Sequence, residues 1–164
     1  MRTISFIRHA KSDQSVNLPD FERPLNQRGL KDAPMMGQII KDKYLQPDLI
    51  LSSPAMRAKT TAKLIAKSIN YPETEIVFME NLYFADTEAF FNIIHQVNNN
   101  FKQLFIVSHN PGTTYIINRI SKARLDHMPT CGIAEITFEV NHWREIQDKS
   151  GVLKRFDTPK MHFV

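Results

Sequence analysis

Apolar positions along this chain keep two rhythms that take turns. Short runs of β-branched and aromatic residues give way to stretches in which apolar residues return every three or four positions. Residues 2–9 read as a buried strand, and residues 10–27, with Asn17, Pro19, Asp20 and Pro24, keep no helical period and read as a loop. A loop of that length in a compact domain is often functional. From Gly29 to about Tyr44 a helix is predicted, with Leu30, Ala33, Met36, Gly37, Ile40 and Tyr44 on one face. Pro34 fits it only within the first turn. Leu49-Ile50-Leu51 makes a second strand. Ser53-Pro54 then reads as an N-cap followed by a proline at the first helical position, opening a helix that runs to about Ser68.

The same rhythm continues to the C-terminal third. Ile76 to Met79 is a short third strand, Glu80 to Phe84 a loop, and Asp86-Thr87 opens a helix bearing Phe90, Phe91, Ile94 and Val97. Residues 103–108 form a central strand, and Asn110-Pro111 repeats the cap-plus-proline helix start. The helix that follows carries Tyr115, Ile116, Ile117 and Ile120, and residues 121–132 look irregular. Ile133 to Val140 alternates as a strand, and Asn141-His142 suggests a hairpin turn into Trp143 to Gln147. Residues 150–164 are weakly patterned. Strands alternating with helices predict an α/β fold: a three-layer α/β/α sandwich around a mainly parallel sheet with an antiparallel edge. With no repeat or linker, residues 1–164 are expected to form one domain.

Composition narrows the picture only slightly. The net charge of +4 is modest and fits attraction for an anionic substrate. Lysines and arginines are spread without a dense basic run, which argues against nucleic acid. No apolar run approaches a membrane span, and no signal-peptide core follows the N-terminus. The single cysteine, Cys131, permits no internal disulfide, so a reducing, cytoplasmic location is expected.

Chemistry gathers at two strand ends. Ile4 to Ile7 runs into Arg8-His9, and Leu104 to Val107 runs into Ser108-His109-Asn110-Pro111-Gly112. In open α/β sheets ligands sit outside the carboxyl ends of strands. If these strands are parallel neighbours, His9 and His109 face each other across one pocket. A neutral imidazole can attack phosphorus. Arg8 beside His9 disfavours the imidazolium and keeps that imidazole neutral. Arg8 and Arg57 are candidate phosphate clamps, because a guanidinium fork matches phosphate oxygens and stays charged. Arg57 also lies near a helix N-terminus, where free N–H groups favour an anion. His109 is a candidate cation for a phosphate oxygen, and Asn110 stands beside it at a helix start. Lys11 and Ser12, just past His9, are candidate substrate contacts.

Taken together these residues resemble the histidine phosphatase superfamily. The likeness rests on Arg8-His9-Ala10, Ser52-Ser53-Pro54 with Arg57-Ala58 and Thr61, and Ser108-His109-Asn110-Pro111-Gly112. Arg23-Pro24-Leu25-Asn26 to Arg28-Gly29 is similar to a segment of the small phosphohistidine phosphatases of the SixA type. The resemblance implies that His9 is the phosphorylated nucleophile, that Arg8, Arg57 and His109 complete the phosphate pocket, and that neither metal nor cofactor is needed. Many larger relatives carry an acid after the third strand to protonate the leaving group, and Glu80 stands in about that place. The implied activity is a phosphatase acting on a phosphohistidine of a protein. A small phosphoester is the alternative substrate, and a non-catalytic module that binds phosphorylated partners is the alternative from another class.

Overall fold

Residues 1–163 are described in the computed structural model of the chain. In chain order the elements are β1 (Arg2–Arg8), α1 (Gln27–Lys43), β2 (Leu49–Ser52), α2 (Met56–Ser68), β3 (Val77–Phe78), α3 (Thr87–His95), β4 (Gln103–Ser108), α4 (Gly112–Ile120), β5 (Ile133–Phe138) and β6 (Gly151–Asp157), with short 3₁₀ turns between some of them. The strands form one six-stranded sheet in the order β3-β2-β4-β1-β5-β6. The first four of that order run parallel, while β5 and β6 pair antiparallel at one edge. The predicted α/β class and mainly parallel sheet are therefore present.

Period-two alternation divides the central strands between two cores. Ile4 and Phe6 of β1 and Leu104 and Ile106 of β4 pack with α3 and α4. Ile7 of β1 and Phe105 and Val107 of β4 face the opposite way and pack with α1 and α2. Because both faces are covered, these strands read as nearly continuous apolar runs, as buried parallel strands do. Pairing in register puts Arg8 beside Ser108 and Ser52 beside Val107. The residues that follow, His9, His109 and Ser53, thus leave the sheet together at its carboxyl edge.

Several local expectations need correction. Helix α1 starts at Gln27, because the Asn26 side chain accepts a hydrogen bond from Gly29 N at 2.9 Å. That start leaves Pro34 in the interior, not the first turn. An interior proline forgoes a ladder bond and costs about 3 kcal/mol, offset here by the packing of Ala33, Met36 and Ile40 against Ala62 and Ile65 of α2. Leu30 is exposed, since the buried stripe runs through Gly29, Asp32, Ala33, Met36, Gly37 and Ile40. Neither cap-plus-proline start holds as drawn. α2 begins at Met56, after Ala55, and α4 begins at Gly112, after Pro111. Both candidate capping side chains are committed elsewhere, as described below.

The hairpin expected at Asn141-His142 is absent. Residues Trp143–Glu145 form a 3₁₀ turn, and the strand that pairs with β5 is β6 instead. Trp143 is fully buried, with its indole N–H donating to Phe101 O at 2.9 Å. A large ring that must find both a core and an acceptor does not sit on an edge strand. β6 hid from the pattern because it is largely solvated and because a bulge shifts its register between Glu135 and Ile136. Position 164 of the weakly patterned tail lies outside the described residues.

Candidate active site

His9 and His109 stand with ring centroids 5.1 Å apart, tilted at 53°. They share a pocket of about 230 Å³ with Arg8, Arg57, Lys11, Ser12 and Asn110, among others. All but one of the candidate site residues drawn from the sequence therefore meet in this pocket. The exception is Glu80, which is exposed and opens a 3₁₀ turn away from the pocket lining.

The backbone after His9 is held on two sides. Thr61 Oγ1 accepts from Ala10 N at 2.9 Å and donates to Arg57 O at 2.7 Å, so one buried hydroxyl ties the turn to α2. On the other side α1 comes so close that a Cβ at Gly29 would lie 2.2 Å from Lys11 O. Only glycine permits that approach. It presents exposed Lys11 and buried Ser12 at the pocket.

The tautomer of His9 follows from its partner. Nδ1 lies 2.7 Å from Ala10 O, a carbonyl that can only accept. Nδ1 therefore carries the hydrogen, and the lone pair of the neutral ring is on Nε2. The ring stays neutral because of where it sits. Burial lowers its pKa most, the bond to Ala10 opposes this, and the charges of His109, Arg57 and Arg8 lower it further, from 6.5 to about 3.

His109 is similarly depressed, to about 4, first by burial and then by Arg57, with Asp20 opposing. The expectation of a standing cation at His109 is thus corrected: with both arginines nearby, a third positive charge in a buried place is disfavoured. Its Nε2 lies 2.7 Å from Ser53 Oγ, which already accepts from Ala55 N. The hydroxyl can donate its hydrogen to Nε2, an arrangement in which the proton of a neutral His109 sits on Nδ1. That nitrogen is buried and has no hydrogen-bond partner among the described residues.

Arg57, only 4% exposed, sends Nη1 to Asp20 O at 2.8 Å and Nη2 to Asp20 Oδ2 at 3.0 Å. Asp20 also accepts from Arg23 and from the Tyr83 hydroxyl, the latter at 2.5 Å. Partial burial pushes the Asp20 carboxyl up, but these hydrogen bonds and the Arg57 charge outweigh it and hold the group below the usual carboxylate range. Arg8 donates Nη1 to Met128 O at 3.0 Å. Its pKa is lowered, first by burial and then by Arg57, yet a guanidinium remains charged at neutral pH. Arg8 Nε and Arg57 Nε, like His109 Nδ1, are buried without partners among the described residues. Unmade hydrogen bonds of this kind cost about 1–3 kcal/mol each. Such a cluster has more donors than its own fold satisfies.

Asn110 lines the pocket but is already occupied. Its oxygen accepts from Thr114 Oγ1 at 3.0 Å, and its Nδ2 lies 2.9 Å from Met128 O and 3.2 Å from His127 Nδ1. It pins the 127–128 loop that in turn receives Arg8. Sequence reasoning passed over Asp20, Tyr83 and Phe84, and quoted Arg23 and Ser53 without giving either a place at the site. Asp20 and Arg23 sit three apart in the long loop, a spacing that hinted at an ion pair. Nothing in the pattern marked the Tyr83 ring, which meets His109 edge-on at 5.5 Å. Among the described residues, no group of three or more His, Cys, Asp or Glu side chains is placed to hold a metal ion. Nor is any described helix long and apolar enough to cross a membrane.

Known proteins share this fold. The chain is similar to an uncharacterized protein of Mycobacterium tuberculosis, 27% identical over 94% of this chain and 100% of that one. Its structure resembles the protein histidine phosphatase SixA solved with tungstate, with a TM-score of 0.83 and 19% identity over 97% of this chain and 98% of that one. It also resembles a protein of Agrobacterium tumefaciens provisionally named phosphohistidine phosphatase SixA, with a TM-score of 0.81 and 25% identity over 96% and 98% of the two chains. The model of the histidine phosphatase superfamily (branch 1) matches residues 4–88, more than half of the sequence and the part that holds His9 and Arg57. The chain belongs to the histidine phosphatase superfamily.

Proposed function

We propose that the chain is a phosphatase that works through a covalent phosphohistidine at His9, and that its substrate is a phosphohistidine carried on a protein. The observation that carries this reading is the His9 ring, buried and neutral, with Nδ1 tied to Ala10 O and the lone pair on Nε2. In the first step that lone pair forms a bond to phosphorus while the bond from phosphorus to the substrate nitrogen breaks. The departing imidazole keeps the electron pair and takes a proton from water. The positive charge left on the His9 ring is eased by Ala10 O. In the second step water attacks the phosphorus of phosphorylated His9, releasing inorganic phosphate and restoring the ring.

Arg8, Arg57 and the Nδ1–H of His109 would hold the three phosphoryl oxygens. Donors fixed in advance around developing charge are the largest single source of catalysis at such sites. Glu80 has no part in this scheme, and Asp20, held ionised, is unsuited to act as the acid. A leaving imidazole needs little help from an acid, which is why a nitrogen-linked phosphoryl group suits the pocket better than an alkyl ester. Lys11 and Ser12 border the same space and would contact the substrate beyond the phosphoryl group.

The test is to mix the protein with a protein substrate carrying radiolabelled phosphohistidine and quench within one turnover. An acid-labile, alkali-stable label on the wild type that is missing from His9→Asn supports the scheme. Equal labelling of both, or release of phosphate by the variant, sinks it. A panel adding sugar and nucleotide phosphates decides between the protein substrate and the small phosphoester.

A further inference from the structure

We infer that the phosphate pocket has a neighbouring subsite, walled by Phe84 and Tyr115, that receives an apolar side chain of the protein substrate next to its phosphohistidine. The inference rests on the phosphatase reading for its substrate and on separate geometry for its location.

A groove of about 310 Å³ adjoins the pocket and shares Phe84, His109 and Asn110 with it. Whatever enters the groove is therefore in reach of the reacting centre. Its two large rings are unusually exposed, Phe84 at 71% and Tyr115 at 60%. An apolar ring left in water beside a pocket is a surface in want of a partner. Phe84 is also held there against its own backbone preference, with φ at 63° in the left-handed region. A bulky residue seldom adopts that conformation, and where one does, the surroundings enforce it.

Those surroundings can be named. A Cβ at Gly112 would lie 2.2 Å from Ala85 O, so the start of α4 seats directly on the residue after Phe84. The Phe84 ring stacks on Tyr83 at 4.1 Å and 29°. Tyr83 in turn meets Phe21 at 5.1 Å and donates its hydroxyl to Asp20. Phe84 is thus the outermost ring of a braced stack whose inner end reaches the partner of Arg57.

The groove's chemistry selects its occupant. Among the described residues, Asp86 is the only Asp, Glu, Lys or Arg lining it. Its carboxylate is already spent as the cap of α3, accepting from Ala89 N at 2.8 Å. No lysine or arginine is present to draw a second phosphate or a sugar acid. What remains is an aromatic, largely uncharged trough that fits a leucine or phenylalanine side chain. A free sugar phosphate has nothing to place there. A protein segment, with side chains on either side of its phosphohistidine, does.

The experiment uses two peptides carrying a non-hydrolysable phosphonate analogue of phosphohistidine, one with phenylalanine beside the analogue and one with serine. Binding of each to the wild type, Phe84→Asn and Tyr115→Ala is measured by calorimetry. Asparagine is chosen at position 84 because it tolerates the left-handed backbone. The wild type is expected to bind the phenylalanine peptide about tenfold tighter, and each variant to reduce that preference to about twofold or less. Tyr115→Ala should hydrolyse free phosphohistidine at the wild-type rate. Equal wild-type affinity for the two peptides, binding of neither, or a preference that survives both substitutions overturns the subsite. Those results leave the phosphatase reading standing if free phosphohistidine is still hydrolysed. A preference that behaves as expected in a protein that hydrolyses no phosphohistidine sinks that reading and keeps the subsite.

Discussion

Two hollows in this molecule invite comparison. One, of about 420 Å³, lies by the β3 edge, between β2, β3 and α3, and is lined by residues such as Leu51, Val77, Met79, Ile93 and Val97. Its polar members are carboxamides, Asn92 among them, and it includes no Asp, Glu, Lys, Arg or His. The other, about 230 Å³, is smaller and holds two histidines and three arginines at the carboxyl ends of β1, β2 and β4. Size and greasiness favour the first, chemistry the second. The difference is topological. β4 returns to lie between β1 and β2, so loops that diverge in sequence emerge side by side at one edge. No such crossing supplies functional loops to the hollow near β3.

The sharpest way to break this comparison is to remove one group from each hollow. His9→Ala is expected to lower turnover of a phosphohistidine protein by at least about 10⁴-fold, as loss of a nucleophile does elsewhere. Asn92→Ala in the larger hollow should leave turnover within about twofold, since surface changes away from special features are nearly neutral. A large loss from Asn92→Ala would mean that the larger hollow also takes part.

Next in size is Arg57→Ala, for which kcat/KM should fall by about 10²–10³-fold through loss of donors to the phosphoryl group. Arg57→Lys should recover only part of it, because an ammonium cannot reproduce the fork. Full recovery by lysine would reduce the role of Arg57 to charge alone.

The pH dependence of stability sharpens the contrast further, because the larger hollow has nothing to titrate. His9 and His109 have folded pKa values of about 3 and about 4, below the ordinary 6.5. Between those limits the unfolded chain takes up protons that the folded chain refuses. Their stabilisation is complete above pH 6.5 and is lost as pH falls toward the folded values. From pH 7 to pH 5 each histidine should withdraw about 2 kcal/mol from the unfolding free energy. Urea unfolding of the wild type and His9→Asn at both pH values checks this, and the variant should lose about 2 kcal/mol less. Parallel losses would contradict a neutral, buried His9.

A comparable effect on stability is expected of Thr61→Val. It keeps the volume but strands the Ala10 N–H, and should cost about 1–3 kcal/mol of stability. Turnover should fall as well, because the turn carrying His9 loses its tie to α2. A variant as stable and as active as the wild type would show that the turn needs no such tie.

Much of this was legible in one dimension. Buried parallel strands are apolar on both faces, so β2 and β4 announce themselves as continuous runs and β1 as a run broken by Ser5, and each ends where the polar residues of a loop begin. β6 does not announce itself, because it is half solvated and bulged. The 3₁₀ turn at Trp143 was also hidden, since a fixed ring in a core leaves no periodicity. The cap-plus-proline signals at Ser53 and Asn110 marked helix starts to within two or three residues. They misassigned the side chains, which bond across the pocket to His109 and Met128.

Local pattern alone determined the layered α/β architecture and the neighbourhood of His9, Arg57 and His109, because hydrophobic periodicity and turn chemistry act over a few residues. Tertiary structure decided what those residues became. The two imidazoles resist protonation well into the acid range because the fold buries them, with the charges of Arg57 and Arg8 adding to the effect. Asp20, Tyr83 and Phe84 joined the site only because a loop and a 3₁₀ turn, 63 positions apart at the Asp20–Tyr83 bond, close on one another in space. Burial, charge proximity and ring stacking are properties of distance in three dimensions, and distance along the chain carries no record of them.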